Sequence, residues 1–357
     1  MERAKNMLAH KWRITTIFSA FMTLALILSS CQAVTPKYSS TEKQEPKQKV
    51  GVVTFDLSIT PEAGKDIKLW LPYPTSNEYQ LIEDVRISGN YDNAEVYREP
   101  QSGSMLLHAE WLKSSAQATI SYSFKVTREE ILGKDFQDYT GEIPVELGQY
   151  LLPTSLGPTT GDVKDTALKV TKGKTTVLGK ATAIYDWIIE NFQRDPNIVG
   201  CGVGDVEALL KSQEGKCTDI SSVFVAMARS VGVPAREIFG IRMAKDGDIT
   251  SAYHCRGEFY IPGYGWVPVD PSDVRKYMLN NGCELDNPEV IKLRDYYFGN
   301  QTETYLDFYS GRDLVLVPAQ AGAPLNYLMY PYAEVGGKTL DWFAQQNLKY
   351  TVTFKGL

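Results

Sequence analysis

The sequence predicts an α+β protein in which a run of antiparallel strands precedes a buried helix and a second antiparallel sheet. Three observations carry this. From Val50 onward, segments of alternating apolar and polar residues recur with turn residues between them, as in a β-sandwich of about 75–85 residues. Further along, Ile220, Val223, Phe224, Met227 and Val231 fall at the spacing of one buried helix face. Strands then follow over 236–243, 252–261 and 266–269, the last two joined by a Pro262-Gly263-Tyr264-Gly265 turn.

The first thirty residues stand apart from this fold. Arg3, Lys5, Lys11 and Arg13 make a basic start, and Ile14 begins an apolar run that ends at Leu28. The run is short and closely followed by polar residues, so it reads as a secretory signal peptide over 1–30, not a membrane span. Leu28-Ser29-Ser30-Cys31 resembles a bacterial lipobox, which makes Cys31 the expected lipidation site. Residues 32–49 are polar and cannot bury enough surface to offset ordering; with Cys31 they form a lipidated tether over 31–49. The expected location is the periplasmic or outer face of a membrane, touched only through the N-terminal lipid. Without residues 1–30 the chain holds 33 basic and 42 acidic residues, net −9. An acidic body argues against nucleic acid as a partner.

At 357 residues the remainder exceeds one ordinary core. An N-terminal β-sandwich domain is expected over 50–150, with strands over 66–71, 80–87, 94–98, 104–111 and 118–126. His108, in the fourth of these, reads as a surface or half-buried strand residue. The Pro-, Gly- and Thr-rich stretch 151–161 marks a change of architecture and opens a second domain over 151–285. A helix is expected over 175–192, with Trp187 on its core face, and a short one over 206–211.

The most legible helix spans 218–231, closed by Gly232 and Pro234. Cys217 stands at its start, where free N–H groups and the helix dipole favour a thiolate and can hold an oxyanion. Gly215 lets the backbone approach a substrate. Paired residues of an antiparallel hairpin have a constant sum of numbers. A sum of 524 pairs His254 with Asp270 and centres the turn near residue 262, where Pro262-Gly263 lies. His254 and Asp270 therefore share a face on adjacent strands. Asp270 can orient the imidazole while its other nitrogen takes the thiol proton. Cys217, His254 and Asp270 make a nucleophile, a base and an orienter.

These residues also carry a family likeness. Gly215-Lys216-Cys217-Thr218-Asp219 and the run from Ala226 to Arg236 resemble the nucleophile segment of the transglutaminase-like superfamily. His254 with Glu258-Phe259, and Gly265-Trp266-Val267-Pro268-Val269-Asp270-Pro271, are similar to its His and Asp segments. The resemblance covers roughly residues 175–275. It implies a papain-like core and acyl transfer through a thioester at Cys217: transglutamination, deamidation or peptide-bond hydrolysis on a protein or peptide substrate, without a cofactor. Since the family also holds inactive members, the alternative is a silent module that binds peptide, protein or glycan. Arg256 stands where the family often has an aromatic residue, and Cys255 beside the base is unusual. Gln193 and Trp187 are candidates for the oxyanion side chain.

Besides Cys31 and Cys217, the cysteines are Cys201, Cys255 and Cys283. In an oxidising compartment at most one disulfide can form among these three, and the sequence does not give its connectivity; Cys201 and Cys283 are the structural candidates. A Cys217–His254 metal site lacks further ligands, and no EF-hand-like run suggests calcium. Residues 286–357 read as a β-rich extension. A helix over 288–297 and strands over 314–317, 325–330 and 350–354 extend the catalytic sheet or return to the sandwich. Tyr327, Tyr330 and Tyr332 line a groove or, the favoured expectation, pack in a core.

Overall fold

The computed structural model describes residues 45–133 and 135–357; the expected signal peptide over 1–30, Cys31 and the expected tether up to residue 44 lie outside the described residues. Six strands come first: β1 (Gln48–Ile59), β2 (Ile67–Tyr73), β3 (Gln80–Gly89), β4 (Asn93–Arg98), β5 (Met105–Trp111) and β6 (Ala118–Glu129). A helical stretch follows, with α1 (Gly161–Val170), α2 (Val177–Asn191), β7 (Gln193–Arg194), α3 (Val206–Ser212), β8 (Glu214–Gly215) and α4 (Cys217–Ser230). Next come β9 (Ala235–Arg242), β10 (Gly247–Asp248), β11 (Tyr253–Ile261), β12 (Gly265–Val269), α5 (Pro271–Asn281), α6 (Pro288–Tyr296) and β13 (Tyr305–Tyr309). The last strands are β14 (Tyr332–Val335), β15 (Lys338–Thr339) and β16 (Leu348–Gly356).

Two five-stranded sheets, β10-β16-β1-β6-β3 and β15-β14-β2-β5-β4, enclose the first core. Period-two burial on β1 and β6 places Val53, Phe55 and Leu57 opposite Phe124, Tyr122 and Ile120 on one inward face. The sandwich is not completed within residues 50–150. The C-terminal β16 pairs along most of β1, from Gly51↔Gly356 to Ile59↔Leu348, and β14 pairs with β2. Residues 286–357 thus serve both sheets at once: β13 extends the second antiparallel sheet, β12-β11-β9-β13, while β14 to β16 return to the sandwich.

The strands expected over 314–317 and 325–330 do not form. Leu314 and Leu325 exchange one pair of backbone hydrogen bonds, and Pro318 and Pro324 remove the donors that would continue a ladder. Helix α1 was not foreseen; only Val163 and Ala167 of it are buried, too thin a stripe to read.

Helix α4 lies across the sheet, against β11 and β9, and is buried on every side from Cys217 to Ala228, not on one face alone. A helix surrounded this way must satisfy its polar residues internally. Ser222 donates to Thr218 O at 2.6 Å, Thr218 Oγ1 lies 3.2 Å from the Cys255 sulfur, and Asp219 binds backbone N–H groups as described below. A second core of aliphatic and aromatic side chains fills the space between α1, α2, α4, α5 and the sheet. Arg128 on β6 joins the sandwich to the sheet, donating to Tyr305 O at 2.6 Å and to Tyr79 O at 2.9 Å.

His108 is 1% exposed, contrary to its expected surface or half-buried place. It packs against Trp70 in the sandwich core with neither ring nitrogen partnered. Burial, with help from Lys68, lowers its pKa to about 4. The unfolded chain, with an ordinary value near 6.5, binds the proton first, so the stability from a neutral buried ring is present above pH 6.5 and is lost as pH falls toward 4. His108→Leu should therefore flatten the decline of Tm between pH 6.5 and 4 in calorimetric scans. An unchanged acid slope relative to wild type would show that His108 does not control it.

Candidate active site

Cys217 occupies the first turn of α4, and the residue that holds that turn is Asp219. One carboxylate oxygen accepts from Lys216 N at 2.9 Å; the other accepts from Val203 N at 3.0 Å and Gly204 N at 2.8 Å. An acidic residue at the third helical position also suits the dipole. The fit is close: a Cβ at Gly202, whose φ is +93°, would lie 1.9 Å from Asp219 Oδ2, and one at Gly215 would lie 2.5 Å from Asp219 Cβ. Gly215 therefore makes room for Asp219; its expected role in admitting a substrate is replaced by this packing one. The same loop brings Cys201 O to 2.9 Å from Thr218 N, engaging one of the free N–H groups of the helix start.

The hairpin β11–β12 pairs Gly257 with Val269 and Ile261 with Gly265, a constant sum of 526 where the sequence suggested 524. The turn is a three-residue loop, 262–264, and the longer loop moves the register by two residues. Asp270 lies just past β12, on the same face as His254 but diagonal to it. It is the N-cap of α5, where its Oδ1 accepts from Asp273 N at 3.0 Å. Its Oδ2 lies 2.6 Å from His254 Nε2, leaving Nδ1 for the sulfur. Asp270 is fully buried and His254 is 2% exposed.

Two charged groups that sequence reasoning missed complete the arrangement. Arg242, at the end of β9, is ion-paired with Asp273 and lies 3.6 Å from Asp270 Oδ2; Asp273 Oδ1 is 3.7 Å from His254 Nε2. The signal for Asp273 was present: Asp270-Pro271-Ser272-Asp273 has an N-cap, a proline at the first helical position and an acid at the third. Among the described residues His254, Asp270 and Asp273 form a cluster with metal-ligand geometry. The guanidinium of Arg242 already bridges the two carboxylates, so a cation there meets a resident positive charge.

The charge states follow. Burial and Arg242 act against the imidazolium of His254, but Asp270 and Asp273 outweigh them and its pKa is raised. The Cys217 thiol is held well below its ordinary range, first by hydrogen bonds from Cys201 and Cys255, then against burial by His254. Cys201 and Cys255 remain protonated, pushed up by their bonds to Cys217 and by burial. All four described cysteines are free, so none of the bridges open to Cys201, Cys255 and Cys283 forms. Cys201 and Cys255 flank Cys217, while Cys283 sits after α5 beside Asn287.

A cleft of about 840 Å³ opens onto Cys217 and His254, within the range of small-ligand sites. Neither expected oxyanion side chain lines it. Trp187 packs edge-on to Phe192, and Gln193 accepts from Arg275 at 2.8 Å. Arg256 is also outside the cleft, buried between Glu258 and Asp307 and over the Tyr305 ring. Of the three C-terminal tyrosines only Tyr330 reaches the cleft. Tyr327 stacks on Phe239 and Tyr332 packs against Trp70, as expected of core residues.

The family model of the transglutaminase-like superfamily matches residues 164–271. A protein of Haemophilus influenzae is 36% identical over 332 residues, which cover 85% of this chain and 90% of that one. Among solved structures, a candidate cysteine protease from Cytophaga hutchinsonii superposes with a TM-score of 0.52 at 16% identity, covering 87% of this chain and 100% of its own. The periplasmic domain of TgpA from Pseudomonas aeruginosa superposes more loosely, with a TM-score of 0.35 at 15% identity over 67% of this chain and 92% of its own.

A depressed thiol beside a raised imidazole gives an ion pair across neutral pH. The rate of Cys217 alkylation by iodoacetamide, read by mass spectrometry, should change little between pH 8 and pH 6. A free thiol such as N-acetylcysteine slows roughly 100-fold over that interval. In His254→Ala the profile should steepen toward that of the free thiol. A wild-type profile parallel to N-acetylcysteine would show that no ion pair forms.

Proposed function

The chain belongs to the transglutaminase-like superfamily, and from that premise we propose that it is an exported cysteine enzyme acting on the carboxamide or peptide bond of protein or peptide substrates at the cell envelope. One observation carries the reading: a thiol at a buried helix start meets a carboxylate-paired imidazole on the floor of an open cleft.

In this reading the Cys217 thiolate attacks the carbonyl carbon and the oxygen takes the electron pair. The N–H of Cys217, first in the helix, has no acceptor among the described residues and is aligned with the dipole to stabilise that oxyanion. Collapse of the intermediate breaks the C–N bond as the His254 imidazolium gives its proton to the departing nitrogen. This leaves a thioester and a neutral imidazole. Water, or an amine, then attacks the thioester with His254 as base, and the thiolate departs. Asp270 stays ionised throughout and fixes the ring with Nε2 toward itself. Water is the default acceptor, so hydrolysis is favoured over cross-linking.

Glutamine-containing and envelope-derived peptides, incubated with and without an amine acceptor, should be deamidated, cleaved or conjugated by wild type. Cys217→Ala should abolish turnover. Asp270→Asn keeps an N-cap acceptor for α5, so it should fold and yet lose on the order of 10⁴ in kcat. If wild type and Cys217→Ala leave the whole peptide set equally untouched, the fold serves as a binding module instead.

Export and anchoring belong to the same proposal. Among the described residues no helix is long and apolar enough to cross a membrane; the support for an anchor at Cys31 is the lipobox-like Leu28-Ser29-Ser30-Cys31. Cys31→Ser should move the protein from the membrane fraction to the soluble one. An unchanged partition would remove the anchor.

A further inference from the structure

The charges that line the cleft above Cys217 are almost all positive. Arg194, Lys216, Lys245, Lys276 and Arg242 line it, against a single carboxylate, Asp248. Arg242 is neutralised by Asp273 and Asp270, and Asp248 accepts from Thr250 N at 2.8 Å. Arg194 donates to the neutral Ser272 hydroxyl at 2.9 Å. Among the described residues neither Arg194 nor Lys216, Lys245 or Lys276 makes a salt bridge. Lys276 acts on Asp273 only at longer range. Four cations without a bound carboxylate therefore gather around one nucleophile, in a chain whose net charge is −6. A basic cleft on an acidic body focuses its field at the opening, attracting anions and repelling cations.

A second observation points the same way. Tyr330, 6% exposed, donates its hydroxyl to the Cys201 sulfur, while Trp342 Nε1 is buried without a partner. Both side chains line the cleft. A buried donor without a partner is rare, and Trp342 Nε1 gains from an acceptor brought by an occupant. Phe343 beside them is 41% exposed and offers apolar surface to a peptide side chain.

We infer that the acyl donor is an acidic peptide segment, carrying carboxylates beside the reacting carbonyl that Arg194, Lys216, Lys245 and Lys276 select. The inference rests on the enzymatic reading for the word donor, but its charge selectivity is measurable without turnover. The carboxylates belong either to glutamate and aspartate side chains or to a free chain end, and the two sources are separable by amidating the C-terminus.

The test uses Cys217→Ala, which binds without reacting, and fluorescent peptides with a central glutamine flanked by glutamates, serines or lysines. By fluorescence anisotropy at low salt, the glutamate peptide should bind about 10-fold or more tighter than the lysine peptide, with the serine peptide between. The preference should shrink as salt rises. A fall in affinity on C-terminal amidation assigns the site to a chain end, and its absence assigns it to side chains. Adding Lys245→Glu and Lys276→Glu, with the fold checked by circular dichroism, should abolish or reverse the preference. Equal affinities for the three peptides, no binding at all, or a preference unchanged by the two substitutions would each overturn the inference. So would inorganic phosphate displacing the acidic peptide far better than chloride at equal ionic strength, which would mark the cleft as a phosphate site. Iodoacetamide labelling of wild-type Cys217, run in parallel, separates the two readings. A reactive Cys217 without charge preference sinks the acidic donor alone, whereas an inert Cys217 with charge preference sinks the catalysis alone.

Discussion

Asp219 places a carboxylate at the third residue of a helix whose first turn has almost no water to bind, and the site depends on how that carboxylate is held. Burial lifts its pKa, and bonds from Lys216, Gly204 and Val203 N–H groups oppose the rise. Removing it would leave three backbone donors without an acceptor, at about 1–3 kcal/mol each where buried. The glycines at 202, 204 and 215 follow from this contact, because a Cβ at any of them would collide with Asp219 or with its neighbour Ser222. Arg312 secures the same loop from the other side, donating to Val203 O at 3.0 Å and to Ser222 Oγ at 2.5 Å. With loop and helix locked, the Cys201 thiol is held 3.4 Å from Tyr253 O and beside the Cys217 sulfur.

The second constraint is electrostatic. A buried imidazolium is costly, and Arg242 makes it costlier, so a single carboxylate partner is opposed by two effects. The structure supplies two carboxylates against the one guanidinium. At an effective dielectric near 20, each pair of charges at about 4 Å interacts by about 4 kcal/mol, so the excess of one carboxylate is enough to tip the balance toward the charged ring. Arg242 has its own use in this arrangement. Without it, Asp270 and Asp273 would share one small volume as two like charges, and one of them would take up a proton. A protonated Asp270 could no longer support the imidazolium.

The helix, the hairpin and the identity of the three central residues were legible because each rests on short-range pattern. Gly232 and Pro234 end α4, and Pro262-Gly263 turns the strands. The register was misread by two residues because loop length, not the turn residues, sets it. His254 and Asp270 still share a face, since a shift of two preserves the alternation. Arg242 and Asp273 were invisible as functional residues because their meaning lies in each other, one at a strand end and one on a helix. His108 was misplaced because a single histidine on a strand gives no sign of which face it takes. The C-terminal strands were partly legible as strands, but not their partners, since β16 against β1 joins the two ends of the described chain.

That last pairing changes what the sandwich is for. Trp342, Phe343, Gln345 and Tyr350 form one wall of the cleft with Tyr330; the four sit on or between the strands that close the two sandwich sheets, and Tyr330 just ahead of β14. The opposite wall comes from α4 and from the connection between β9 and β11, and that connection carries β10, which is itself hydrogen-bonded to β16. The cleft is therefore bounded by the helix start on one side and the last strands on the other, joined at an edge they share. Cys217, Cys201 and Cys255 pack in the same buried cluster as Phe354 and Val53, so the nucleophile rests on the sandwich core as much as on its own helix. A catalytic domain cut at residue 285 would keep Cys217, His254 and Asp270 but lose that wall. Because the wall is built by the most non-local pairing in the chain, it forms only after the long loop between the ends has closed. Thiol, imidazole and carboxylate are local products of this sequence; the space they act in belongs to the whole fold.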